Sequence, residues 1–222
     1  MNMSSIFFKF LPQKLLLCIV NFSSETIEKA VEQLSRFPGI GKKTALRMTL
    51  FLLKDKTENV ERMSSILIDL KTKVKFCGNC GNITEVELCN ICTSINRNKK
   101  LICVVKDFQD IISIENTGQF NGVYHVLGGV IAPMDGVGPD DLTIGELIGR
   151  IKEENVEELV FALSANMEGD TTAFYIARKV EGMNLKMSAI ARGIAVGGEL
   201  EYADEITLGR SILNRVPYAL NT

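Results

Sequence analysis

Two Cys-x-x-Cys pairs constrain this chain more than any other feature. Cys77-Gly-Asn-Cys80 is followed, after eight residues, by Cys89-Asn-Ile-Cys92. Two such knuckles can set four thiolates at the corners of one tetrahedron, the geometry of a closed structural Zn²⁺ site. Gly78 and Gly81 around the first knuckle and Asn90 in the second are residues that tight turns favour. Four sulfurs leave no open coordination position, so the metal is expected to hold structure and not to activate water. Two disulfides or four free thiols are the alternatives; the spacing favours zinc.

A chain of 222 residues, 46% of them apolar, has material for a real core in one large domain or a few small ones. The net charge is −2, so nucleic-acid binding has to come from a local patch. Cys18 and Cys103 lie in apolar runs and read as buried thiols, which together with a zinc site suggests a reducing compartment. The segment from Phe7 to Val20 is largely apolar, but Pro12, Gln13 and Lys14 split it, and Leu15 to Val20 is short for a signal-peptide core. Nothing approaches the ~20 apolar residues of a membrane span. Residues 1–21 therefore read as an extension ahead of the first domain.

Hydrophobic spacing organises the rest. Ser23 and Ser24 are N-cap candidates for a helix with Ile27, Ala30, Val31 and Leu34 on one face. Phe37-Pro38-Gly39 ends it. A second helix starts at Lys42 or Lys43, with Ala45, Met48 and Leu52 aligned, and a third runs from about Val60 to Val74. From Leu101 the pattern changes. Leu101–Val105, Val123–Leu127, Glu158–Leu163 and Leu185–Ile190 read as strands. Asp107–Glu115, Thr143–Ile151 and Thr171–Val180 read as the helices between them, with Ile111, Ile112 and Ile114 as packing residues. This alternation argues for a parallel α/β sheet.

Four segments carry candidate chemistry. In Phe37-Pro-Gly-Ile-Gly-Lys-Lys-Thr-Ala-Leu-Arg47, Gly39 and Gly41 permit a tight turn and a close backbone approach. The helix that follows offers free N–H groups to a phosphate, and Lys42, Lys43 and Arg47 add positive charge. Backbone binding without base readout is the expectation; a plain αα-turn with solvated lysines is the alternative. The strand end Lys106-Asp107, with Asp110, and the stretch Ser164–Asp170 are expected to converge at the carboxyl edge of the sheet. Glu168 and Asp170 form an acidic pair that could hold Mg²⁺, although a solvated acidic loop at a helix start is the favoured reading. The segment Ile190–Glu205 reads as an anionic surface loop, through Glu199, Glu201, Asp204 and Glu205. His125, the single histidine, reads as a core residue. No Walker A motif is present, which argues against ATP hydrolysis.

In order, FPGIGKKTALR, the four-cysteine knuckle, VVKD, TGQFNGVYHVLGGVIAPMDGVGPDDL, MEGDTTAFYIARK and IARGIAVGGELEYADEITLGRSILNR closely resemble the bacterial RecR family of recombination mediators, from about Phe22 to Pro217. The resemblance implies an α+β multidomain chain: a helix-hairpin-helix domain at 22–75, a four-cysteine zinc finger at 76–99, an α/β Toprim domain with a parallel sheet at 100–195, and a C-terminal acidic loop and helix at 196–222. It implies a ring-like homo-tetramer formed from dimers that encircles DNA without sequence preference. It also implies partnership with RecO and RecF, no membrane, a cytoplasmic, nucleoid-associated setting, and help in loading RecA onto gapped single-stranded DNA. By that resemblance Lys43 and Arg47 contact DNA, Cys77, Cys80, Cys89 and Cys92 bind zinc, and Glu168 and Asp170 match the Toprim acidic pair in a region facing partner and DNA. Lys106 stands where Toprim enzymes usually carry a glutamate. A lysine cannot replace an acid there, which fits a non-enzymatic scaffold. A Mg²⁺-dependent Toprim nuclease or strand-transfer enzyme is the alternative.

Overall fold

The computed structural model describes residues 24–217. The extension at 1–21, Cys18 and Ser23 lie outside them. The chain divides into two compact units, and the division falls after Ile68.

In the first unit, α1 (Glu25–Leu34) and α2 (Lys42–Lys54) form a hairpin, and α3 (Thr57–Lys73) starts here and continues past the division. Ser24 stands at the N-cap of α1 with extended backbone, but its hydroxyl makes no cap hydrogen bond. Phe37-Pro38-Gly39 breaks the helical run, and Gly39 turns the chain at φ +76°, a region that L side chains disfavour. Val31, Ala45 and Thr49 are buried at the hairpin contact.

The second unit opens with a short antiparallel pair, β1 (Lys75–Phe76) and β2 (Ile83–Thr84), and a helical turn, α4 (Asn90–Thr93). The remaining elements are β3 (Asn98–Val105), α5 (Phe108–Glu115), β4 (Gly122–Val126), α6 (Ile144–Glu153), β5 (Glu158–Ala162), α7 (Met167–Lys179), β6 (Lys186–Ala189) and α8 (Glu205–Leu213). The four longer strands form one sheet in the order β4-β3-β5-β6, parallel throughout. The expected strands are all present, with β3 reaching three residues further back, to Asn98.

This order follows from the apolar runs. Ile102, Val104, Val105, Val123, Tyr124 and Leu159 are at most 1% exposed, as a strand covered on both faces requires. Ile111 of α5, Leu147 and Ile151 of α6 and Ile176 of α7 join the same core. Ile112 does not: it is 49% exposed, because α5 turns only the Ile111 side toward the sheet. The connection after β3 leads to β4 on one side, and that after β5 leads to β6 on the other. A crevice therefore opens between the carboxyl ends of β3 and β5, where α/β folds gather their ligands. Among the described residues no helix is long and apolar enough to cross a membrane.

Candidate nucleic-acid interface and metal centre

The turn between α1 and α2 concentrates the basic residues of the first unit. Gly41 is the N-cap of α2, with φ −82° and ψ 164° and no side-chain cap. Lys42 and Lys43 occupy the first two helical positions, and Arg47 follows one turn later; all three are exposed. The first turn of α2 holds no acid. Among the described residues, none of the ion pairs involves Lys42, Lys43 or Arg47. Cations at the positive end of a helix dipole are unfavourable by roughly 0.3–1 kcal/mol each. Helix stability thus gives no reason for two lysines here, whereas an anion at the free N–H groups supplies one. The hairpin also leaves a shallow apolar hollow of about 570 Å³ beside Arg47, bounded by Met48, Phe51, Leu52 and Met63.

The four cysteines meet as their spacing requires. Their sulfurs lie within 4.8 Å of one another, and all four residues are buried. Cys80 and Cys89 stand 3.5 Å apart, too far for a disulfide and close to the edge of a tetrahedron with ~2.3 Å Zn–S bonds. Backbone N–H groups aim at the sulfurs, Cys89 N to Cys77 Sγ at 3.2 Å and Asn82 N to Cys80 Sγ at 3.4 Å. Thiols this close cannot all ionise unaided. The contact with Cys92, then burial, pushes Cys80 far up, and burial raises Cys89. Cys92 is drawn down to about 6, first by Cys80, with Arg150 among the charges that favour its thiolate. A divalent cation resolves the conflict by taking four thiolates at once. The donor set fits Zn²⁺, and the closed four-cysteine cluster is a structural metal site.

The knuckle is built into the sheet's edge. Val126 N donates to the Cys80 carbonyl at 2.8 Å. Gly81 lies so near β4 that a Cβ would sit 3.1 Å from Cβ of Val126. Beside this junction His125 is 3% exposed. Its Nε2 lies 2.9 Å from the Thr143 carbonyl, which can only accept, so Nε2 carries the proton. Burial pulls the imidazole down to about 4, so it is neutral at physiological pH, a core residue as expected.

At the carboxyl edge of the sheet the two expected segments do converge. A cleft of about 610 Å³ there is lined by Asp110, Ser164, Ala165, Arg192, Thr207 and Arg210, among others. Helix α7 begins at Met167, four residues before the expected Thr171, so Glu168 and Asp170 stand in its first turn and not in a loop. Asn166 caps it, accepting from Gly169 N at 2.9 Å. The Asp170 carboxylate already has cations: Arg192 Nη2 at 2.6 Å from Oδ1 and Arg210 Nη2 at 3.8 Å from Oδ2. Arg192 first, then Arg210, holds the Asp170 carboxyl below the usual carboxylate range. Lys106 is exposed at the end of β3.

The segment Ile190–Glu205 has no buried residue and is mostly irregular, with one short helical turn at Leu200–Tyr202. Asp204 caps α8, accepting from Thr207 N at 2.9 Å, while Arg192 and Arg210 both turn to Asp170, outside the segment. Sequence reasoning assigned no part to Arg150, Arg192 or Arg210: the last two meet Asp170 from far along the chain, and Arg150, besides its pair with Glu154 one turn on, reaches the distant Tyr124 carbonyl.

Comparison with known proteins agrees segment by segment. Residues 27–71 match the helix-hairpin-helix of RecR, 74–94 its four-cysteine zinc finger domain, 100–191 the Toprim domain and 193–216 the RecR C-terminal region. The chain is 53% identical over 199 residues to the recombination protein RecR of Flavobacterium psychrophilum, covering 90% of this chain and 97% of that protein. It is 54% identical over 194 residues to recombination protein RecR of Bacteroides thetaiotaomicron, covering 87% and 95%. Against recombination protein RecR of Porphyromonas gingivalis it is 49% identical over 201 residues, covering 90% and 97%. The chain belongs to the RecR family of bacterial recombination proteins.

Proposed function

We infer that the chain is a non-enzymatic recombination mediator of DNA repair, a clamp subunit that acts with RecO and RecF to help load RecA onto gapped single-stranded DNA. The DNA contact is assigned to Gly39, Gly41, Lys42, Lys43 and Arg47. One observation carries it: two exposed lysines at the positive end of α2, with no acid in its first turn. Such a surface grips phosphates and is indifferent to bases. Cys77, Cys80, Cys89 and Cys92 hold the zinc, and Glu168 and Asp170 belong to the region facing DNA and partner proteins. The domain boundaries at 22–75, 76–99, 100–195 and 196–222 are retained as working divisions. The setting is the cytoplasm at the nucleoid, where the DNA lies.

The functional form is a homo-tetramer formed from dimers. Exposed apolar side chains of the first unit support assembly: Phe51, Ile66 and Leu67 are each 48–68% exposed, and α3 buries no side chain. Mg²⁺-dependent strand chemistry is disfavoured because Asp170 is engaged by two arginines and Lys106 replaces the expected acid.

The test is a filter-binding titration against salt with Lys43→Ala combined with Arg47→Ala. Affinity is expected to fall equally on unrelated sequences, and the slope of log K against log[salt] on duplex to drop by about 1.8. Unchanged affinity and slope refute the hairpin as the DNA contact. Light scattering of the parent is expected to show four chains; a monomer at every concentration refutes the ring.

A further inference from the structure

The zinc cluster has a cation at its back that does not come from the finger. Arg150, in the second turn of α6, is 6% exposed. Burying a guanidinium costs several kcal/mol unless its charge and donors find partners. Its Nη1 donates to the Tyr124 carbonyl of β4 at 2.6 Å, and its Nε to Glu154 Oε1 at 3.0 Å. The same Glu154 oxygen accepts from Asn79 Nδ2 at 3.2 Å. Asn79 is inside the first knuckle, and its Nδ2 also reaches Cys92 Sγ at 3.9 Å. A continuous line of contacts thus runs from the sheet through Arg150, Glu154 and Asn79 to a metal ligand.

Charge explains why an arginine belongs there. Zn²⁺ with four thiolates carries two net negative charges, and here it lies in a buried setting that water cannot screen well. Glu154 alone would add to that negative charge. Arg150 offsets it, while Glu154 fixes the guanidinium and orients the Asn79 amide toward sulfur. Ligands oriented from outside in this way commonly gain 10–100-fold in metal affinity.

We propose that Arg150 is the buried counter-cation and positioning residue of the four-cysteine zinc site, acting on Cys92 through Glu154 and Asn79, so that full zinc affinity depends on the neighbouring α/β domain. This rests on the zinc reading of the cluster. The zinc finger is therefore not self-sufficient: part of what retains its metal is a side chain of α6.

The full chain tests it, by competition for zinc against a chromophoric chelator. Arg150→Met keeps the aliphatic bulk and removes the charge; zinc retention is expected to fall 10–100-fold. Arg150→Lys restores the charge and should recover much of the loss, which a purely packing role would not produce. A folded Arg150→Met chain that holds zinc within twofold of the parent overturns the proposal. Should that variant fail to fold, Asn79→Ala decides, with retention about fivefold weaker expected and parental retention overturning the relay. A parent chain that carries no zinc by elemental analysis and gives no cobalt–thiolate absorption removes the zinc reading itself, and the proposal with it.

Discussion

Gly41 separates folding from DNA binding more cleanly than any charged residue. Its backbone, at φ −82° and ψ 164°, suits any amino acid, and a Cβ there meets nothing within 4 Å. Alanine at 41 restricts the unfolded chain, which stabilises by about 0.4–1 kcal/mol. It is a poorer N-cap than glycine, which costs a comparable amount. The two effects nearly cancel, so stability to urea should stay within about 0.5 kcal/mol of the parent. DNA binding should not. A methyl group at the N-cap stands between an incoming phosphate and the N–H groups of Lys42 and Lys43. Losing one charge-assisted hydrogen bond costs about 1.5–3 kcal/mol, so Gly41→Ala should weaken binding at least tenfold in fluorescence anisotropy at fixed salt. Gly39→Ala is the contrasting control. With φ at +76° it carries about 1–2 kcal/mol of backbone strain, and its stability loss should appear with or without DNA. A Gly41→Ala protein that is as stable as the parent and binds DNA as tightly refutes the phosphate cradle.

Two further outcomes are expected. Asp170→Asn frees Arg192 and Arg210, and α8 has no buried side chain to hold it otherwise. For a half-exposed network worth about 1 kcal/mol, amide exchange across 205–213 should quicken about fivefold, and unchanged exchange would show that the pairing is idle. The Arg97 guanidinium first, and the Tyr124 hydroxyl at 2.6 Å, hold the Glu115 carboxyl below its ordinary 4.5. Its contribution is therefore complete above pH 4.5 and lost as the pH falls through the depressed value. Glu115→Gln should flatten that part of the urea-midpoint profile; parallel profiles for parent and variant refute the assignment.

What was legible in the sequence depended on distance along the chain. The zinc ligands could be read because each knuckle is a local device whose spacing is its geometry. The strands could be read because a parallel sheet covered on both faces demands unbroken apolar runs, as in Leu101–Val105. The start of α7 could not, because Gly169 reads as a loop residue. It is helical, and its missing Cβ reflects packing: a side chain there would lie 2.1 Å from the Ser164 carbonyl. Ile112 misled because three isoleucines in four residues cannot share one helical face. The arginines that meet Asp170 were invisible for a different reason. Pairing across loops leaves no periodic trace, and an acid-rich segment such as 199–205 hides the basic residues on either side of it.

The hydrogen bond from Val126 N to the Cys80 carbonyl bears on the order of events during synthesis. All four zinc-site thiols leave the ribosome before Val126 and Arg150 do. A nascent finger can capture its ion early, yet the contacts that lock it arrive only once β4 and α6 have emerged. Metal capture and maturation of the α/β core are then successive stages, and a chain interrupted between them would be left with a loosely held ion.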